Sequence, residues 1–261
     1  FFFFFFFVEE VVKSIKRLKS GKAGGLDGIL PEMLKEASTY IALFLTEFFN
    51  DIFTSGTYPE PWSEAVIVPI YKKGDANLTA NYRGISLLNL LGKCYTSILN
   101  NRLYSWLEDS SKIIDSQAGF RKGYSTTDHI FTLYAVTQKY LLKRGGKLYV
   151  AFIDLKIAFD SIRRSTMLGC LKRVGISSKF LNAIRGIYQK VVSCVRINNE
   201  LTEMFDCPKG LRQGCCLSPT IFSVIINEVA VRVSEDGRHG IQMMPGFIEL
   251  LIMLFADDIA L

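Results

Sequence analysis

Histidine and paired cysteine are scarce in this chain, and the scarcity removes whole classes of chemistry. Only two histidines occur, His129 and His239, and they lack metal-ligand spacing. None of the six cysteines (Cys94, Cys170, Cys194, Cys207, Cys215, Cys216) forms a Cys-x-x-Cys pair. That argues against a zinc site and against a secreted disulfide framework. Free thiols and the lack of a signal peptide point to a reducing intracellular setting, nucleus or cytoplasm. No apolar run reaches the ~18–20 residues a membrane span needs. There is no phosphate-binding Walker loop, no dinucleotide fingerprint and no His-Glu-x-x-His. Internal repeats are absent too, and the only low-complexity tract is the seven-phenylalanine start. A homopolymer of Phe carries no periodicity, so residues 1–7 are expected to lie outside the native structure.

What is present is a large apolar fraction, 49% of 261 residues, enough for a core without staples. The net charge is +6, from 31 basic and 25 acidic residues, compatible with a nucleic-acid groove. Basic residues gather at Lys13–Lys22, Lys72-Lys73, Arg121-Lys122 and Arg163-Arg164, and most of these are expected to be solvated faces. Helical spacing marks Val8–Ser20, Pro31–Phe53, Leu88–Leu107, Thr126–Leu142, Ser165–Val174 and Ser178–Val191. Strands are predicted at Ala65–Tyr71, Tyr82–Leu87 and Lys147–Leu155, with a hairpin of Cys194–Ile197 and Met204–Cys207 around Asn198-Asn199.

Three segments carry candidate chemistry. Phe255-Ala256-Asp257-Asp258 follows the apolar run Phe247–Leu254 and precedes Ile259-Ala260-Leu261, which reads as strand, tight turn, strand. Neighbours on a regular strand point to opposite faces, so two adjacent acids can share a site only at a turn. Apolar surroundings would make the pair costly without a cation between them. Asp154 ends the second apolar strand, and Asp160 follows in Ala158-Phe159-Asp160. Three carboxylates from two strand ends suit divalent cations that also hold substrate phosphates. Between them lies Gly210-Leu211-Arg212-Gln213-Gly214-Cys215-Cys216-Leu217-Ser218-Pro219, a Gly-rich loop with Ser at N-cap and Pro opening the helix Thr220–Val233.

In this order the three segments resemble the palm of a reverse transcriptase, in the style of non-LTR (LINE-type) retrotransposons. Upstream text is similar as well: Gly21–Ile29, Val68–Asp75, Asn81-Tyr82-Arg83-Gly84-Ile85-Ser86-Leu87-Leu88 and Gln117-Ala118-Gly119-Phe120-Arg121. The resemblance covers roughly residues 9–261. It implies an α+β fold, a right-hand polymerase palm with helical fingers and no thumb: a fingers-like lobe over 8–146 and an incomplete palm over 147–261. It implies RNA-directed DNA polymerase activity by two-Mg²⁺ nucleotidyl transfer, with Mn²⁺ as a possible substitute. The partners implied are an RNA template, a DNA primer and deoxynucleoside triphosphates, with no membrane and no inferable protein partner. Asp154, Asp257 and Asp258 become the catalytic metal ligands, and Asp160 a structural residue. Lys72 (or Lys73) and Arg83 would grip the triphosphate, Phe159 would lie under the sugar, and Gln213 against the incoming nucleotide. Gly84, Cys216 and Leu26 stand where the family usually has Pro, and Ile157 where it commonly has a polar or basic residue. The alternative is a truncated, inactive remnant or an RNA-binding module on the same fold.

Overall fold

In a computed structural model of the chain, the residues described are 5–198, 200–235, 240–244, 248–250 and 252–261. In chain order the helices are α1 (Val8–Lys16), α2 (Pro31–Ser55), α3 (Glu60–Ser63), α4 (Leu90–Asp109), α5 (Thr126–Leu141), α6 (Ala158–Ser161), α7 (Arg164–Val174), α8 (Ser178–Gln189) and α9 (Ser218–Glu235). The strands are β1 (Glu64–Tyr71), β2 (Tyr82–Leu88), β3 (Phe152–Asp154), β4 (Val192–Ile197), β5 (Glu200–Leu201), β6 (Phe205–Asp206), β7 (Ile241–Met244), β8 (Ile248–Leu250), β9 (Met253–Phe255) and β10 (Asp258–Ala260). This is an α+β chain. Contacts divide it into two compact units, Phe1–Trp106 with Phe159–Ser218, and Leu107–Ala158 with Pro219–Leu261. The division is interleaved, each unit drawing on two separate stretches, and it differs from a consecutive boundary at 146/147.

The first unit is built on a sheet of order β2-β1-β4-β5, with β6 also on β4. β1 and β2 form an antiparallel hairpin in register from Ala65↔Leu88 to Tyr71↔Tyr82. β4 adds in parallel only from Glu64↔Val192 to Ile67↔Val195. Pro69 therefore falls where β1 has a partner on one side only, which is where strand proline is tolerated. Helix α2 starts with Pro31 at its first position and ends at Gly56, whose N–H donates to Ile52 O at 2.9 Å.

The core of this unit is aromatic. Phe49 meets Tyr95 and Trp62 edge-on at 5.5 and 5.9 Å between ring centroids, and Phe53 meets Phe180 at 6.1 Å. Edge-to-face pairs of this kind add to the burial term. Phe6 belongs to the cluster. It is 3% exposed and lies 5.1 Å from Phe53 and 5.7 Å from Tyr95. Its backbone N–H donates to Asn50 Oδ1 at 2.6 Å, and Asn50 Nδ2 donates to its carbonyl at 3.2 Å. The Arg102 guanidinium stacks 4.6 Å from the Phe6 ring centroid and pairs with Glu10 at 2.6 Å. The expectation that residues 1–7 carry no native structure therefore fails for Phe5–Phe7: ring contacts and amide bonds fix what homopolymer composition could not reveal.

The second unit holds α5, most of α9, the sheet β3-β10-β9 and the hairpin β7-β8. The strand predicted over Lys147–Leu155 is shorter than its apolar run, Phe152–Asp154, extended by the exchange of hydrogen bonds between Ala151 and Leu261. Ladder bonds exist only where β10 supplies them. Residues 112–121 form a strap beside β9. Asn227 of α9 accepts from Ile114 N–H at 2.8 Å and donates to Lys112 O at 3.0 Å. Arg121 donates to both Glu108 oxygens and to the Ile114 and Gln117 carbonyls. The Glu108 hydrogen bonds hold the Arg121 pKa above its ordinary value, so the tie stays charged. Among the described residues no helix is long and apolar enough to cross a membrane.

Replacing Phe6 with Ala should destabilise the chain by about 3–5 kcal/mol, the cost of emptying a buried ring site. Phe5→Ala, at an exposed position, should cost under about 1 kcal/mol. Urea denaturation followed by circular dichroism measures both. Equal small effects would return the whole tract to the outside of the fold.

Candidate active site

The acids of the second unit are brought together by strand register. β10 lies antiparallel to both neighbours, with Asp258↔Asp154 and Asp258↔Phe255 directly opposite. Residues opposed in this way share a sheet face, with Cβ atoms about 4.5–5.5 Å apart. One face thus carries Asp154, Asp258, Phe152, Phe255, Met253 and Ala260, and the other carries Ile153, Ile259 and Leu254. Leu254 and Ile259 are buried, which seats the apolar face inward and turns the acidic face outward. Asp154 and Asp258 are exposed and Asp257 is half-buried. The apolar enclosure expected for these acids is absent; like-charge proximity, not burial, is what a cation would relieve.

Asp257 occupies the two-residue turn Ala256-Asp257 that links β9 to β10. Its carbonyl accepts from Leu155 N–H at 3.4 Å, which ties the turn to the end of β3. Among the described residues no group of three or more His, Cys, Asp or Glu side chains is arranged to hold a metal ion. The structure pairs Asp154 with Asp258 and sets Asp257 in the adjoining turn. Two facing, solvent-open carboxylates offer hard oxygen donors of the type Mg²⁺ takes, with room for its waters.

The strap positions this turn, and its role is not evident from sequence. Leu254 N–H donates to Ser116 O at 2.8 Å, and Ala118 N–H donates to Leu254 O at 2.9 Å. The His129 ring hydrogen-bonds the same carbonyl through Nε2 at 3.0 Å, so that nitrogen carries the proton. Ala256 has φ +57, a left-handed conformation that a non-glycine residue adopts at a cost. Gly119 lies against it: a Cβ at 119 would stand 2.1 Å from Ala256 N and 2.9 Å from its Cα. A cavity of about 340 Å³ adjoins the acids, with Phe152, Phe255, His129 and Ile130 in its walls. The Gln117–Arg121 motif was the available signal for this strap, but neither the Ala256 strain nor the His129 contact is marked by residue type.

The remaining candidates fall in the first unit. Gln213 Nε2 donates to both Asp160 oxygens at 2.9 Å, so Asp160 does serve to orient a neighbour. Asp160 accepts only, which fixes the Gln213 amide with Oε1 turned to other partners. Phe159 is half-buried, and its carbonyl receives Leu211 N–H at 2.8 Å. Ser218 does not act as the expected N-cap. It is the first residue of α9, and its hydroxyl donates to Arg212 O at 2.8 Å, bracing the loop. Lys72 and Arg83 are exposed near the tip of the β1-β2 hairpin. Arg83 pairs with Ile70, so it shares a face with Ile70 and lies opposite to Gly84 and Ser86. Lys72 N–H donates to Asn81 O at 2.9 Å, continuing the hairpin beyond Tyr71↔Tyr82.

Comparison with known proteins agrees with the order of these motifs. Residues 70–261 match the family described as reverse transcriptase (RNA-dependent DNA polymerase). The chain belongs to this family, among its non-LTR retrotransposon members. It is 28% identical to a probable RNA-directed DNA polymerase from transposon BS of Drosophila melanogaster, over 97% of this chain and 27% of that protein. It is 27% identical to the RNA-directed DNA polymerase from mobile element jockey of the same species, over the same shares. A Pol polyprotein from the type-1 retrotransposable element R2 of Popillia japonica is 26% identical, over 97% of this chain and 34% of its own length. The chain thus spans about a quarter to a third of these relatives.

Gly119→Ala should force the Ala256 turn to shift. The expected result is a loss of about 1–3 kcal/mol, the usual cost of overpacking, together with weaker Mn²⁺ binding read by electron paramagnetic resonance. Unchanged stability and binding would show that the turn is set by β10 alone.

Proposed function

We propose that this chain is the nucleotidyl-transfer domain of an RNA-directed DNA polymerase, with β3, β9 and β10 in its palm and the β1-β2 hairpin in its fingers. The observation that carries the proposal is the facing pair Asp154 and Asp258 on the edge of an Asp-Asp turn. In this reading Asp154, Asp257 and Asp258 hold Mg²⁺, with Mn²⁺ as a substitute. Such ions, when bound, lower the pKa of an attacking hydroxyl and neutralise a leaving phosphate. The chain's own part is placement. Lys72 and Arg83 supply cationic donors for a triphosphate, Arg in the bidentate geometry phosphate favours. Phe159 lies under the sugar and disfavours a 2′-hydroxyl, while Gln213, held by Asp160, presents Oε1 to the nucleotide. Phe152, 73% exposed, and Phe255 lie on the acidic face and offer rings to an exposed base of primer or template. RNA template, DNA primer and deoxynucleoside triphosphates are the partners.

Primer extension on an RNA template tests the reading. Asp154→Asn and Asp258→Asn should each lower the rate at least about 100-fold, as loss of charge-stabilising groups does, without changing the circular dichroism spectrum. Activity that survives both substitutions would refute the assignment, and activity absent from the unsubstituted chain would favour an RNA-binding role. Phe159→Val should raise ribonucleotide incorporation by about tenfold or more, a change of some 1.4 kcal/mol in discrimination. An unchanged sugar preference would return Phe159 to the core.

A further inference from the structure

A second cavity, of about 370 Å³, lies within the first unit against β1 and β2, and its charge is unbalanced. Arg164, Arg212 and Lys209 line it, and Asp160 is the one carboxylate in the lining. Both Asp160 oxygens are already covered by Gln213. Neither arginine forms an ion pair among the described residues. Arg164 donates to the Tyr188 carbonyl at 2.7 Å and to the Cys207 carbonyl. Arg212 is 7% exposed and donates to the Trp62 carbonyl at 2.7 Å. In each, Nε is buried with no hydrogen-bond partner. Burial, and then the charge of Arg212, push the Arg164 pKa below its ordinary value, against the opposing effects of Tyr188 and Cys207. Carbonyl dipoles compensate a buried guanidinium only in part, and an unpaired N–H in such a place is costly.

We propose that this cavity binds a compact phosphate-class oxyanion, orthophosphate or pyrophosphate, through the free Nε–H groups of Arg164 and Arg212 with Lys209 at the rim. The volume is in the range of small-ligand pockets. Guanidinium donors suit tetrahedral oxyanions better than any neutral ligand. A backbone phosphate on a nucleic-acid strand is a poor candidate, because a guanidinium buried as deeply as Arg212 is reachable only by a free small anion. The site is separate from Lys72 and Arg83. The lining residues Gly84 and Ser86 face the cavity, and Arg83 lies on the opposite face of β2. The inference therefore stands whether or not the polymerase reading holds.

The test is pyrophosphate binding to the 261-residue chain, without nucleic acid or divalent metal, by ³¹P line broadening and thermal shift at constant ionic strength. Saturable broadening and a raised Tm are expected with pyrophosphate and absent with chloride. Ser86→Asp, which puts a carboxylate into the lining, should weaken binding about tenfold or more while leaving the Tm in chloride unchanged. If that variant misfolds, Lys209→Glu at the exposed rim should weaken binding about threefold or more. A Lys72→Gln/Arg83→Gln double variant should bind pyrophosphate as the unsubstituted chain does. The proposal is overturned by absence of saturable binding, by full binding in a folded Ser86→Asp variant, by loss of binding in the double variant, or by binding of a single-stranded oligonucleotide in place of pyrophosphate.

Discussion

Two carboxylates directly across an antiparallel ladder repel each other, by roughly 1–3 kcal/mol at about 5 Å between water-like and surface-like dielectric. A sheet with no use for that repulsion would avoid it, because like charges directly opposite weaken the ladder. Asp154 and Asp258 are held there by what lies on the other face. Ile259 and Leu254 are buried, and a slip of one residue would expose them and bury the acids. Register, and with it the charge pair, is thus set by hydrophobic burial on the opposite side of the same strands.

That arrangement places a demand on β9, which must be held from both edges. β10 supplies one edge and the Ser116–Ala118 backbone the other, with a parallel bridge between Gln117 and Leu254. The strap is in turn fixed by Arg121, Glu108 and Asn227, which satisfy its backbone groups one by one. Held this way, the turn can keep Ala256 at positive φ, and no side chain at 119 can be accommodated beside it. The close packing of Gly119 on Ala256 couples the strap to the acids more directly than any side-chain hydrogen bond does.

Much of this was legible in the sequence. The helical stripes of Pro31–Phe53, Thr126–Leu142 and Ser178–Val191 became helices whose ends moved by no more than about two residues, the usual fraying margin. The β1-β2 hairpin and the strand-turn-strand around Asp257 followed from alternation and turn residues. Three features were not legible, each for a reason of distance. Ser218 was read as an N-cap from its neighbour Pro219, whereas its hydroxyl is taken by Arg212 and Tyr188. Phe6 has no periodic context, and its place depends on Asn50, Phe53 and Tyr95. The solvent exposure of Asp154 and Asp258 could not be read from apolar flanks, because alternation sends the flanking side chains to both faces. The run Phe247–Leu254 was read as one strand, and of it the described residues form β8 and β9.

The openness of the acids bears on how a metal would be held. A closed cage of three or more protein ligands suits a resident cation. An octahedral Mg²⁺ that keeps several waters needs only one or two carboxylates, provided that a phosphate-bearing substrate completes its shell. The described residues offer the second arrangement: two facing acids, a third in the adjoining turn, and no assembled cluster. In such a site affinity for the ion rises with substrate, because the substrate's oxygens are part of the coordination sphere. Metal binding and substrate binding then become reciprocal, each strengthening the other by the same factor. The exposure of Asp154 and Asp258, which looks like an unfinished metal site when the chain is considered alone, is the geometry that such coupling requires.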